Sequence, residues 1–311
     1  MDGRQSAVGR KNGQPRAERK AISGVLLLDK PVDLSSNTAV QKARRLFAAQ
    51  KAGHTGTLDP FATGLLPICF GEATKFSADL LDADKTYEAT AQLGVTTTTG
   101  DTEGEVIERL PVNADADAVE SALQKLRGPI QQIPPMHSAL KRDGKPLYEY
   151  AREGIELERA PRDITIHTLH LLELHGDVLK FQVCCSKGTY VRVLAEDIGK
   201  ALGCGAHLTA LRRVQVGPLL LEQGVTLEML EHTSEEQRMN LLCPVDHLLQ
   251  SLPRIDLDET YAARFVQGQR LMIEANASGR VRVYDAERLL GTALLSEFGR
   301  LQPERLVVDK E

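Results

Sequence analysis

One carboxylate stands where the sequence makes its most unusual choices. Asp59 sits between Leu58 and Pro60 in the stretch Gly53–Lys75, GHTGTLDPFATGLLPICFGEATK. Gly53, Gly56, Gly64 and Gly71 allow backbone angles and close approaches that other residues resist. Pro60 turns Asp59 away from helical geometry toward an extended one. Leu58, Phe61, Leu65 and Leu66 surround the acid with apolar side chains. The pattern predicts a rigid, non-helical loop that presents a single acid, able to act as a nucleophile or to stabilise a carbon losing its substituent. Desolvation would raise the pKa of such an acid and blunt it, and a nearby cation would reverse that. The competing reading is an Asp-Pro turn closed by its own side chain.

Elements that could hold this loop are legible on both sides of it. Ile22–Leu28 is a short apolar run that ends at Asp29-Lys30-Pro31, a buried strand meeting a turn. Ser35-Ser36-Asn37-Thr38 then offers helix-capping side chains, followed by Val40, Ala43, Leu46 and Phe47 at helical spacing. Tyr87–Val95 alternates apolar and polar residues as a half-buried strand does. A polar loop, Thr96–Gly104, and a short strand at Glu105–Arg109 come next, and Ala116–Arg127 has a helical face of Val119, Ala122, Leu123 and Leu126. Gly128–Lys145, with three prolines, reads as an extended, mobile segment. Ile164–Leu174 and Val178–Ser186 form a hairpin, and a helix runs from Lys187–Arg192 to Leu202, stopping at Gly203. Thr226–Leu242 reads as helical and Pro244–Pro253 as a linker. Arg254–Glu311 is a small all-β unit with strands at Arg280–Tyr284, Leu289–Leu295 and Leu306–Val308.

Composition bounds the function. At 311 residues the chain suits one large domain with a smaller companion. A net charge of −5 argues against a wholly basic nucleic-acid binder, yet basic clusters at Arg4–Lys20, Lys42–Arg45, Lys141–Lys145 and Arg212–Arg213 allow a basic groove on an acidic body. The five cysteines form no CxxC pair, so reduced thiols in the cytoplasm are expected. Cys204 and His207 lack a second ligand pair, so no metal site is expected. No apolar run is long enough to span a membrane. Neither GxGxxG nor a Walker A sequence occurs.

The Asp59 stretch resembles the active-site loop of the TruB family of tRNA pseudouridine synthases, GHxGxLDPxAxGxLPxxxGxATK. Further segments resemble the family in order from Gly24 to about Arg213: GVLLLDKP…SSN, IPPMHSALK…G…LYEYAR, CSKGTYVR with its adjoining helix, and CGAHLTALRR. The resemblance implies isomerisation of uridine to pseudouridine at position 55 in the tRNA T arm, without metal or cofactor. It implies an α+β catalytic domain over residues 21–250, with a mixed, largely antiparallel sheet and an inserted thumb-like element that closes on RNA. A basic arm (1–20) would precede it and a PUA-like RNA-binding domain (251–311) would come after it.

Carried over by position, Asp59 is the catalytic carboxylate, Arg192 its ion-pair partner and Tyr87 the ring that stacks on the flipped uracil. Tyr190 would hydrogen-bond the base or move a proton, and His54 would contact RNA and hold the flipped conformation. Lys30 and Lys75 would be phosphate contacts or loop braces, and Leu211 a substrate contact. A cytoplasmic monomer is expected. Thr57 and Phe61 occupy variable positions, and His137 stands where many relatives carry Tyr. Attack at C1′, addition at C6 and proton abstraction at C2′ are all compatible with the sequence. So are a non-enzymatic RNA-binding protein and a synthase for another RNA. A glycoside hydrolase would need a second acid at set distance, and the matched loop has none.

Overall fold

The computed structural model describes residues 19–274 and 277–308; the expected basic arm lies outside them except for Arg19 and Lys20. The chain opens with β1 (Gly24–Lys30), α1 (Ser36–Leu46), β2 (Ala52–His54) and β3 (Thr63–Phe70), then α2 (Ser77–Leu81) and β4 (Lys85–Leu93). A small hairpin of β5 (Val95–Thr97) and β6 (Val106–Arg109) precedes α3 (Ala116–Leu126) and β7 (Gly128–Gln132). A two-stranded ribbon, β8 (Lys141–Arg142) and β9 (Lys145–Pro146), leads into α4 (Leu147–Arg152). The hairpin β10 (Arg162–His175) and β11 (Val178–Cys185), α5 (Val191–Ala201), β12 (Ala206–Val216), β13 (Leu219–Leu220) and β14 (Val225–Thr226) complete the main sheet. Its order is β14-β1-β3-β12-β4-β11-β10-β7, antiparallel except at β14–β1 and β3–β12.

The unbroken apolar runs of β1 and β3 have a physical cause, since strands buried on both faces lose the alternation of half-buried ones. Leu26, Leu28, Leu66, Ile68 and Phe70 enter the core under α1, whereas Val25, Leu27, Leu65 and Cys69 enter a second cluster on the opposite face. That second face is closed by Phe76, Leu80, Leu248 and Leu249. The expected linker at Pro244–Pro253 is therefore corrected: Val245–Leu249 is a 3-10 turn whose leucines are buried. Two other expectations change likewise. The stretch Gly53–Lys75 is a loop only from residue 55 to residue 62, because its second half is the central strand β3. Gly128–Gln132 is the edge strand paired to β10, and the chain leaves the sheet only beyond Gln132.

Residues 227–241 form short pieces, α6 (Leu227–His232), α7 (Glu235–Arg238) and a 3-10 turn, rather than one helix. Thr233 already departs to extended geometry, and Ser234 caps the next turn.

The C-terminal unit is a five-stranded sheet of β15 (Arg254–Leu257), β16 (Leu271–Met272), β17 (Gly279–Asp285), β18 (Arg288–Leu295) and β19 (Arg300–Leu306), with α8 (Glu259–Val266) packed on it. The third expected strand sits earlier than Leu306–Val308, in β19. This unit docks on the second face of the main sheet. Arg280 pairs with Asp79, Tyr284 donates to Asp246 at 2.7 Å, and Leu289 and Val307 pack against the second cluster.

Candidate active site

Asp59 is presented by an eight-residue loop between β2 and β3, and the loop is gripped from behind along its backbone. Arg213 donates to the carbonyls of Gly56 at 3.2 Å and Thr57 at 3.4 Å. The Ser36 hydroxyl donates to Leu58 at 2.9 Å, and the amide of Ala62 to Asp59 at 3.1 Å. The Pro60 carbonyl receives the Asp33 amide at 2.9 Å and the Lys30 ammonium at 3.3 Å. Five successive carbonyls are thus satisfied by protein, as buried backbone requires. Strand β12 can approach this loop because Gly64 stands opposite Arg213: a Cβ there would lie 2.3 Å from the Arg213 carbonyl oxygen, and its φ of +100° also favours glycine.

Arg192 meets Asp59 from the first turn of α5. Its Nη2 lies 2.9 Å from Asp59 Oδ2, and its Nη1 lies 3.3 Å from Asp101 Oδ2. The guanidinium also donates to the carbonyls of Thr99 at 3.0 Å and His137 at 2.8 Å. The Arg192 side chain is 5 % exposed and Asp101 2 %, while Asp59 is 37 % exposed. One buried cation therefore serves a partly exposed carboxylate and a buried one. A planar guanidinium can bond both while keeping its charge. Asp101 in turn accepts from the Thr99 hydroxyl and the Glu103 amide.

Burial pushes the Asp59 carboxyl above its ordinary range, the Arg192 charge pulls it back, and Asp101 pushes it up again. Arg192 thus offsets the desolvation without reversing it, a correction to the sequence expectation. The cause is that burial outweighs the Arg192 charge, and the nearby Asp101 charge adds to the effect of burial.

Tyr87 enters from β4, buried, with Arg213 paired across the strand and beside its hydroxyl. Burial holds the phenol above its usual range, against the pull of Arg213. Tyr190 is the residue before α5; its amide donates to Gln132 Oε1 at 3.0 Å, and burial raises its phenol. His54 Nδ1 accepts from the Gly56 amide at 3.2 Å. Burial, then the Arg213 charge, lowers its pKa and favours the neutral ring, which fits a loop-ordering and contact role rather than a proton carrier.

The structure brings Asp59, Tyr87, Arg192, His54 and Tyr190 into one neighbourhood and separates others. Lys30 is fully buried, donating to Pro31 at 2.8 Å, Leu34 at 2.7 Å and Pro60, so it braces the loop and no phosphate reaches it. Burial brings its pKa down to about 8. Lys75 lies beyond the far end of β3, about 25 Å of extended strand from the loop. It pairs with Glu72 and donates to the Leu306 carbonyl at 3.0 Å, tying the C-terminal unit to the main body. Of its two expected roles, these contacts match a brace, here between the two units rather than within the loop. Leu211 is 7 % exposed, part of the core with Phe61, and lines a groove beside Thr63.

Sequence reasoning missed Asp101, Ser36 and Arg213 as parts of the site. Asp101 comes directly after Gly100 in a polar run and has the signature of a turn. Nothing local marks it as buried. Cys204 and His207 bond to the carbonyls of Gly199 and Val95, and no cluster of three metal-ligating side chains occurs among the described residues. Among those residues no helix is long and apolar enough to cross a membrane.

Three family models match the chain in succession. They are the TruB family pseudouridylate synthase N-terminal domain over residues 44–191, the tRNA pseudouridylate synthase B C-terminal domain over 192–250, and the pseudouridine synthase II TruB C-terminal domain over 253–307. The chain is 60 % identical over 303 residues to tRNA pseudouridine synthase B of Burkholderia mallei, covering 95 % of this chain and 97 % of that protein. It is 59 % identical over 288 residues to the protein of the same name from Dechloromonas aromatica, covering 93 % and 96 %. Among solved structures, a chain of a Cbf5–Nop10–Gar1 complex superposes with a TM-score of 0.72 at 25 % identity, covering 91 % of this chain and 84 % of that one.

Proposed function

The chain belongs to the TruB family of pseudouridylate synthases, and on that premise we propose that it isomerises uridine to pseudouridine at position 55 in the T arm of tRNA. The observation that carries the reading is the Asp59–Arg192 pair at 2.9 Å, with the acid partly exposed and the cation buried behind it. The target uridine leaves its stack to reach Asp59. The carboxylate serves the step that detaches uracil, at C1′, C6 or C2′. The uracil then turns and rejoins the sugar through C5, and the C5 hydrogen leaves as a proton while N1 gains one. Nothing is oxidised or reduced. The thumb between β7 and β10 closes on the RNA, and its hydrogen bond from Arg192 to the His137 carbonyl gives it a seat at the site. The C-terminal unit serves as a PUA-like RNA contact. Asp59, Tyr87 and Arg192 all come from one chain, so a monomer suffices, working in the cytoplasm.

The test is tritium release from a tRNA transcript carrying 5-³H-uridine. The expected result is release by the protein alone, lost when only the uridine at position 55 is replaced. Tight tRNA binding without release would overturn the enzyme reading in favour of an RNA-binding protein, and release that survives the replacement would move the target elsewhere.

Tyr87 is proposed to stack on the flipped uracil, an interaction of about 1–3 kcal/mol. Replacing it with Leu should slow single-turnover conversion by about 10²-fold while tRNA affinity changes by less than about threefold, because most of the contact energy lies on the RNA backbone. Equal losses in rate and affinity, by filter binding and tritium release, would remove the stacking role.

A further inference from the structure

Ser36 is the first residue of α1, 3 % exposed, and its hydroxyl does two things at once. It accepts from the Leu58 amide at 2.8 Å and donates to the Leu58 carbonyl at 2.9 Å. Leu58 is the residue before Asp59, so the second bond fixes the plane of the peptide whose other end is the Asp59 backbone nitrogen. Pro60, on the far side, is held by Lys30 and the Asp33 amide. We infer that Ser36 is a positioning residue of the reaction, setting the direction in which Asp59 projects toward Arg192 and the substrate. The inference rests on the functional reading above.

The physical argument is one of rotation. Asp59 is 37 % exposed, and among the described residues its one ion pair is with Arg192, a group already shared with Asp101. Its aim therefore depends on the backbone that carries it. Two bonds to one neighbour resist rotation about that backbone where one bond would act as a pivot. Losing the hydroxyl leaves a buried N–H and C=O unpaired, and the peptide before Asp59 turns to find partners. A displacement of about 1 Å in a reacting group can cost about 10²-fold in rate.

The adjacent Ser35 supplies an internal control. It caps the same helix, accepting from the Thr38 amide at 3.1 Å, and is exposed. Losing it weakens α1 but leaves Leu58 held. The experiment compares Ser36→Ala, Ser36→Thr, Ser36→Cys and Ser35→Ala with wild type in single-turnover tritium release at saturating tRNA, with tRNA affinity and Tm measured alongside. Ser36→Ala should lose about 30- to 100-fold in rate with affinity within about threefold of wild type. Ser36→Thr, which keeps the hydroxyl, should recover most of that loss. Ser35→Ala should stay within about threefold in rate although its Tm falls. If Ser36→Ala does not fold, Ser36→Cys carries the test, since a thiol fills the space with weak hydrogen bonding and should lose about tenfold.

Equal rate losses in the Ser35 and Ser36 variants, or a Ser36→Ala rate near wild type, would overturn the inference while leaving the enzyme reading intact. Absence of release by wild type would overturn both.

Discussion

Replacing Asp59 with Asn is expected to abolish turnover, by more than about 10⁴-fold or about 5 kcal/mol of barrier, while the protein stays folded and binds tRNA as wild type does. Asn keeps the shape of Asp but can neither attack a carbon nor carry the charge that stabilises one. The fold tolerates the change because Arg192 retains Asp101 and the carbonyls of Thr99 and His137, and the Asp59 side chain is partly in solvent. Single-turnover tritium release, filter binding and thermal unfolding on one preparation decide the matter. Substantial residual turnover would relieve Asp59 of its role, and lost binding would recast it as a recognition residue.

The second large effect concerns the cation and gives two shifts of opposite sign. On the proposed role the ionised form of Asp59 is the active one, so activity is expected to fall as pH drops through its pKa. That pKa is already raised by burial, opposed by Arg192 and reinforced by Asp101. Replacing Arg192 with Met removes the opposing charge, which raises the pKa further and moves the acid limb of the rate profile to higher pH. Turnover near neutrality should also fall by about 10²–10³-fold, the cost of losing a preorganised charge at the reacting centre. Replacing Asp101 with Asn removes the reinforcing charge and frees more of Arg192 for Asp59, so its acid limb should move to lower pH. Arg192→Met also strands the buried Asp101, so its thermal stability should drop by about 3–5 kcal/mol. Acid limbs that do not move, or that move in the same direction, would mean that the limb reports another group.

The neutral His54 and the buried Lys30 bear on how that profile is read. Burial and the nearby Arg213 lower the His54 pKa and favour its neutral ring, whereas burial raises that of Asp59, so the two groups shift in opposite directions and the Arg192 and Asp101 variants identify the Asp59 limb. Lys30, brought down to about 8 by burial, titrates on the alkaline side. There its loss of charge would weaken the ammonium contacts to Pro31, Leu34 and Pro60.

The chain by itself determined the family, the half-buried strand that carries Tyr87 and the placement of Asp59 in a loop, though not where that loop gives way to β3. The Gly-rich LDP stretch restricts its own backbone, and the alternation through Ala89, Ala91 and Leu93 arises from a strand with one face in the core. The helix ends at Ser35 and Gly203 were equally local, being set by a side-chain cap and by glycine's left-handed backbone.

What the chain could not display was the sharing of partners. Lys30 and Lys75 look alike in sequence, two lysines flanking the Asp59 loop. Burial under Pro60 made one a brace, and the length of β3 carried the other to the domain junction. Asp101 has the local pattern of a turn, and only the hairpin of β5 and β6 brings it against Arg192. Ser36 stands next to a capping serine, and only the packing of α1 on the loop gives its hydroxyl to Leu58. In each case a long-range contact set the role, through burial and hydrogen-bond satisfaction that depend on which distant backbone lies within about 3 Å.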